Sequence, residues 1–433
     1  MPSTTAIINT WRRGSTAASS RKPSKTHDIT DEDHVTHPHI EPSGPSEQGL
    51  AGSLLQLPPE LLSQILSHLT FQDLGAMRCT SRLANNLLSE GDILREWLRQ
   101  NYTLHLLRLY PPPESVTFTY LSSLQKRYAI ATEAAALYTE YIERKIVRHS
   151  LMRLSPYLRD AKLKDDFRDV AILMQERMLP LLLTVQHYLE SYATLFVNAP
   201  RYGAETAKDP ATTERWIWER ERDILSSYDP VHLVDVYYFW QFLTWTHNQL
   251  IRPPSYAGAF ERRFRGWKTD PLTSHDLNFI IVFGNLNALS QLLRMRSFRD
   301  RQRKVEEWKR VLDPATCYPW RKHWGDFGLE YGATMTAEQA EQALKMKIRD
   351  GEVFSNGARA VLIERGLLDR NADTAIGSAQ QCTEFLSKIA GYDVLHVLPA
   401  HRPTLNVDQD NEWCAACQCR HLATACPTTS GRA

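Results

Sequence analysis

The stretch from Leu54 to Tyr102 constrains the fold most, because it opens on a proline pair and carries more leucine than so short a segment can hide. Pro58 and Pro59 follow Leu57. A proline lacks an N–H and has a fixed φ, both tolerated in a first helical turn, so a helix is expected to start there. From that start Leu61, Leu62, Ile65, Leu66 and Leu69 recur at a spacing that wraps a wide apolar stripe around one side of the helix. A second short helix is expected next, capped by Asp73, with Leu74, Met77, Leu83, Leu87 and Leu88 on its apolar side and Thr80 and Ala84 making that side shallow. Gly91 ends it, Asp92 offers a new cap, and Ile93, Leu94, Trp97 and Leu98 form a third stripe. Three short helices in about fifty residues leave a large share of their surface exposed, so some of this apolar surface needs a cover from elsewhere.

The order Leu57-Pro58-Pro59-Glu60-Leu61-Leu62, then Ile65-Leu66-Ser67-His68-Leu69, then Asp73-Leu74 and Ser81-Arg82, resembles the F-box, the small helical module of F-box proteins. The resemblance covers roughly a tenth of the chain and thins after Asp73-Leu74, since the family usually has Trp or Phe where this chain has Ala84. It implies docking onto the adaptor subunit of an SCF-type cullin-RING ubiquitin ligase, and through it onto a cullin, while the rest of the chain recruits a protein substrate. The residues expected at the adaptor contact are Leu57, Pro58, Leu61, Leu62, Ile65, Leu66, Leu69 and Leu74. The alternatives are an adaptor-bound regulatory or scaffold protein that degrades nothing, and an enzyme with an unrecognised site.

Composition bounds the remainder. The chain has 433 residues, 42% hydrophobic and 23% charged, with a net charge of +1. These are the values of a soluble globular chain of two or three domains, and no global field argues for nucleic acid or membrane. No apolar run reaches the length of a membrane span, and the N-terminus lacks the apolar core of a signal peptide. Seven cysteines, four of them bunched after residue 410, do not suggest a disulfide framework, so a reducing compartment, cytoplasm or nucleus, is expected. Residues 1–50 read as a disordered tail. Its basic start shares the composition of a mitochondrial presequence, but no amphipathic helix can be drawn through Gly14 to Ser20.

Pro111-Pro112-Pro113 marks the expected boundary, with 103–113 as linker and 114–400 as a helical, substrate-binding domain. The overall expectation is all-α. Helical patterns run over Thr119–His149, over Phe167–Val197 with a kink or split at Pro180, and over Glu214–Leu225. They continue over an aromatic central helix Val231–Ile251, then His275–Met295, Arg299–Leu312, Ala337–Arg349 and Asn356–Leu367. Alternating strands and a repeat of twenty to fifty residues are both absent, which disfavours propellers and solenoids.

No nucleophile elbow, phosphate-cradling glycine loop or His-Glu-x-x-His is present, and Asp326-Phe327-Gly328 stands without the other kinase elements, so the chain is expected not to be an enzyme. Two features suit binding. Between Arg252 and Arg310 thirteen Lys or Arg face six Asp or Glu. Arg262, Arg263, Arg265, Arg294, Arg296 and Arg299 are candidates for an acidic or phosphorylated target, because guanidinium forks form charge-assisted pairs with such anions, although a solvated helix face is the commoner use. Near the end, Cys414, Cys417, His421 and Cys426 fall at C-x2-C-x3-H-x4-C spacing, close to a zinc knuckle but one residue short and without its glycines. A Cys-rich flexible tail over 401–433 is the plainer reading, and no other cofactor is expected.

Overall fold

The computed structural model describes residues 57–89, 91–144, 161–198, 210–251, 263–264, 274–312 and 353–368, with 385 and 389. Among them every regular element is a helix, twelve in all, as the all-α pattern predicts. The described residues fall into two compact units, one of 57–102 with Glu114–Thr117, the other of Thr103–Pro113 with the residues from Phe118 onward.

The first unit has four helices where three were expected: α1 (Pro59–Ser67), α2 (Phe71–Thr80), α3 (Arg82–Leu87) and α4 (Gly91–Asn101). The expected second helix is divided at Ser81, whose backbone is extended (φ −156°, ψ 157°) and whose hydroxyl accepts the Ala84 N–H at 3.0 Å. A serine that satisfies one of the free amides of a new helix start is an N-cap, and it stops the preceding helix. The cap of α2 is also one turn earlier than expected. Thr70 Oγ1 accepts the Asp73 N–H at 3.2 Å while Asp73 Oδ2 accepts the Thr70 N–H at 3.0 Å, a reciprocal capping box in which Asp73 is the third helical residue rather than the cap.

The stretch 103–113 is not only a linker. Thr103 caps a short helix, α5 (Leu104–Leu109), by accepting the Leu106 N–H at 3.4 Å, and His105 and Leu106 are buried in the second unit. Residues 114–117, expected to begin the large domain, lie with the first unit instead: Val116 is buried and the Arg95 guanidinium donates to Glu114 O.

The second unit continues with α6 (Phe118–Ile142), α7 (Ala161–Asn198), α8 (Pro210–Ser226), α9 (Pro230–Ile251), α10 (Ser274–Arg294), α11 (Phe298–Leu312) and α12 (Ser355–Glu364). Helix α7 is the hub, packed against α5, α6, α8, α9 and α10. Every residue from Met178 to Gln186 is buried, so α7 is surrounded there rather than laid on a surface. Pro180 was expected to kink or split it, yet the helix runs on through. The Pro180 carbonyl accepts the Thr184 hydroxyl at 3.0 Å and lies 3.2 Å from His105 Nε2 of α5, so one side chain of the same helix and one from a neighbouring helix grip the turn that contains the proline. The Nε2 atoms of His105 and His232 each lie 2.9 Å from Thr184 Oγ1, so one hydroxyl links α5, α7 and α9. Helix α10, expected to be continuous, is kinked at buried Asn285 (φ 51°, ψ −163°). No helix of the described residues is long and apolar enough to cross a membrane.

Helix α12 rests on α8 and α9 through a buried acid. Tyr188 donates to Glu221 Oε1 at 2.6 Å and accepts the Phe354 N–H at 3.1 Å, tying α7, α8 and the start of α12 together. Burial pushes the Glu221 carboxyl up to about 7, against the opposing pull of the Tyr188 hydroxyl and the Phe354 amide. Arg222 and Glu364 pair at 2.5 Å on the exposed side of the same contact. A carboxyl that holds its proton more tightly folded than unfolded adds stability at low pH, and that stability is lost as pH rises from about 5 through about 7. Glu221→Gln should remove that slope, on the order of 3 kcal/mol across the window. The check is the wild-type minus variant melting difference against pH, which cancels the opposite slope of half-buried His187 and buried His247, whose pKa values lie at about 4 and about 3. A second expectation concerns Gly357, where an added Cβ would lie 2.7 Å from Leu225 Cδ1 and 2.8 Å from Glu221 Oε1. Glycine to alanine within a helix ordinarily gains up to about 1 kcal/mol. Here Gly357→Ala should instead cost about 1–3 kcal/mol by overpacking, read as faster hydrogen exchange in α12.

Candidate functional site

Helix α1 divides its leucines between two faces. Pro58 occupies the N-cap position without a side-chain cap, Pro59 begins the helix, and the Leu62 N–H closes the first turn on Pro58 O at 3.1 Å. Leu62 and Leu66, one turn apart, are 2% and 1% exposed, whereas Leu61 and Ile65, one position earlier and again one turn apart, are 48% and 43% exposed. At 3.6 residues per turn, sealing one pair fixes the other on the adjoining, outward strip.

The inward pair faces α4, whose Ile93, Leu94, Trp97 and Leu98 are all buried. Polar contacts set the register of the two helices. Trp97 Nε1 donates to Leu69 O at 3.2 Å, and Asn101 Nδ2 donates to Ser67 O at 3.3 Å. The last carbonyls of a helix have no partner within it, so α4 supplies donors that the end of α1 lacks. Gly91 permits the return of the chain: a Cβ there would lie 3.3 Å from Val116 N.

Of the eight residues expected at the adaptor contact, Leu61, Ile65 and Pro58 are exposed and Leu57 and Leu69 are half-buried. Leu62, Leu66 and Leu74 are sealed inside the unit, and Leu74 is 0% exposed. In this arrangement the three support the helix from within, and the exposed residues of the eight present its surface. Leu83, expected on an inward side, is 54% exposed, while its neighbour Ala84 is buried. The division at Ser81 turns the two around: α3 starts its own helical phase, which no spacing counted from α2 could give.

The family model of the F-box domain matches residues 54–95. Residues 54–95 are an F-box domain. The F-box thus takes in α1, α2, α3 and the start of α4, and the second half of α4, with Trp97 and Asn101, completes the packing beyond the matched residues. No curated protein and no solved structure matches the chain.

The other candidates separate as well. Arg263, Arg296 and Arg299 are exposed, and Arg294 is ion-paired with Glu133 of α6. Arg262 and Arg265 lie outside the described residues, as do Cys414, Cys417, His421 and Cys426 and the 1–50 tail.

The two faces of α1 make opposite demands on stability. Leu66→Ala should cost about 2–5 kcal/mol, the range for emptying a buried leucine site. Leu61→Ser should stay within about 0.5 kcal/mol. Hydrogen exchange of the α1 and α4 amides in the intact chain checks both.

Proposed function

We propose that this chain is a substrate receptor of an SCF-type cullin-RING ubiquitin ligase, with the F-box docked on the adaptor subunit and the larger helical unit holding a protein target. The observation that carries the proposal is the outward pair Leu61 and Ile65, about half exposed on a helix whose adjoining strip is sealed. Covering what remains of two such side chains is worth about 1 kcal/mol each, and partly or fully exposed Leu57, Pro58 and Leu69 flank the helix at its two ends. In this reading the chain does no chemistry. It raises the effective concentration of a target lysine near a ubiquitin-charged enzyme, which converts a bimolecular encounter into a local one.

The experiment is co-purification of the adaptor and cullin with the full chain. Leu61→Asp combined with Ile65→Asp should abolish capture, since covering two carboxylates by an apolar partner surface costs several kcal/mol. The hydrogen-exchange pattern of α4 should be unchanged, because neither side chain is inside the unit. Adaptor capture by the folded double variant would refute the docking. Proteasome inhibition then separates the two roles an adaptor-bound protein can have: co-purified targets of a receptor accumulate, and those of a regulatory scaffold do not.

A further inference from the structure

The basic residues around the turn between α10 and α11 do different jobs. Arg301 is an internal staple: its guanidinium donates to Leu250 O at 2.9 Å, Met295 O at 2.7 Å and Arg296 O at 3.4 Å, and burial lowers its pKa. Arg294 is paired with Glu133, and Lys304 with Glu307 at 3.1 Å. Arg296, Arg299 and Arg303 remain as an exposed row on a turn that Arg301 holds from beneath. Arg303 pairs with Asp300 at 3.9 Å, with side chains 64% and 55% exposed, an ion pair that water screens and that contributes little.

The placement is not one that stability favours. A helix N-terminus carries partial positive charge, and a cation beside it costs about 0.3–1 kcal/mol. Arg296 precedes α11 and Arg299 is its second residue. The geometry of the row matches one kind of ligand. Arg299 and Arg303 are four residues apart and so share a face of α11, about 6 Å apart along its axis. An extended peptide places every second side chain on one side at intervals of about 6.7 Å. An extended segment with anionic side chains at alternate positions therefore meets both arginines at once, and Arg296 can take a third. Single-stranded nucleic acid fits less well. It binds through exposed aromatic rings, while the aromatics of this corner, Phe298 and Trp308, are 6% and 1% exposed.

We propose that Arg296, Arg299 and Arg303 form a docking row for an extended acidic peptide segment with carboxylate or phosphorylated side chains at alternate positions. The row would be the target end of the receptor proposed above and in that sense rests on that reading. Binding itself does not, so it is measured in the full chain with and without Leu61→Asp and Ile65→Asp. The probes are fluorescent peptides bearing glutamate at every second position, the same peptides bearing phosphoserine there, peptides of equal charge with the anions at every fourth position, and an oligothymidylate of equal length. Anisotropy should show binding of the alternate-spaced peptides, equal in both backgrounds. The phosphoserine arm against the glutamate arm tells which anion the row prefers. Arg299→Glu with Arg303→Glu should weaken binding by about tenfold or more. Arg299→Gln with Arg303→Gln should weaken it less, and Arg215→Glu on α8 should leave it unchanged. Equal binding of the every-fourth peptides, tighter binding of the oligothymidylate, or charge-reversed affinity within about twofold of wild type would each overturn the proposal. Loss of adaptor capture in the Leu61→Asp, Ile65→Asp background with peptide binding intact is the result both readings expect.

Discussion

The seam between α1 and α4 is the constraint on which the F-box depends. Leu62 and Leu66 fill it, and Trp97 and Asn101 of α4 close it by donating to carbonyls at the end of α1. Once those polar contacts set the register, the rotation of α1 is no longer free. Turning it by one residue, about 100°, would put Leu61 and Ile65 inside and leave the Trp97 indole N–H without its acceptor, which is costly for a buried donor. The outward apolar strip follows from the inward packing. A small unit that could seal all its aliphatic side chains would have no reason to expose two of them one turn apart.

The larger unit solves a different problem. Helix α7 is enclosed by five neighbours, and a polar side chain on an enclosed helix costs least where it finds a partner at close range. Thr184 meets His105 and His232, and Tyr188 meets Glu221. On α9 the same rule holds where His247 Nε2 lies 2.6 Å from the Tyr138 hydroxyl. Each pair joins helices far apart in sequence, so each polar contact also specifies which helix lies beside which. Apolar packing alone specifies this weakly, because one leucine face fits another in several registers.

What the sequence made legible was periodic. The leucine spacing of α1, the aromatic helix α9 and the all-α class follow from apolar residues recurring at helical intervals. What it hid was set by single atoms or distant partners. Nothing periodic marks Ser81 as a break: Thr80-Ser81-Arg82 contains neither Gly nor Pro, and the division comes from one hydroxyl accepting one amide. The triple proline after Tyr110 concealed α5, whose short apolar run Leu104 to Leu109 is helical because α7 lies against it. The same kind of tertiary support lets α7 continue through Pro180. The split of the eight F-box residues into exposed and sealed sets was half legible. The spacing puts 61 with 65 and 62 with 66, but which pair turns inward is decided by α4.

Arginine use in the larger unit sharpens the same contrast between residues explained by the fold and residues left over. Arg127 pairs with Glu190 at 2.9 Å and lies over the Tyr110 ring, and Arg301 satisfies three carbonyls. These guanidinium groups are held because leaving their partners unmet would cost more than ordering the side chains. Arg296, Arg299 and Arg303 are exposed instead, beside a turn already fixed from within: Arg299 lies in a first helical turn that disfavours cations, and Arg303, one turn further on, meets exposed Asp300 at 3.9 Å. Packing and capping account for the neighbouring side chains and not for these, and the property the three share is exposure, with Arg299 and Arg303 one turn apart on α11. A residue whose position costs stability and satisfies no internal group is best explained by something outside the chain, which is the reasoning that also applies to Leu61 and Ile65, with charge in place of apolar surface.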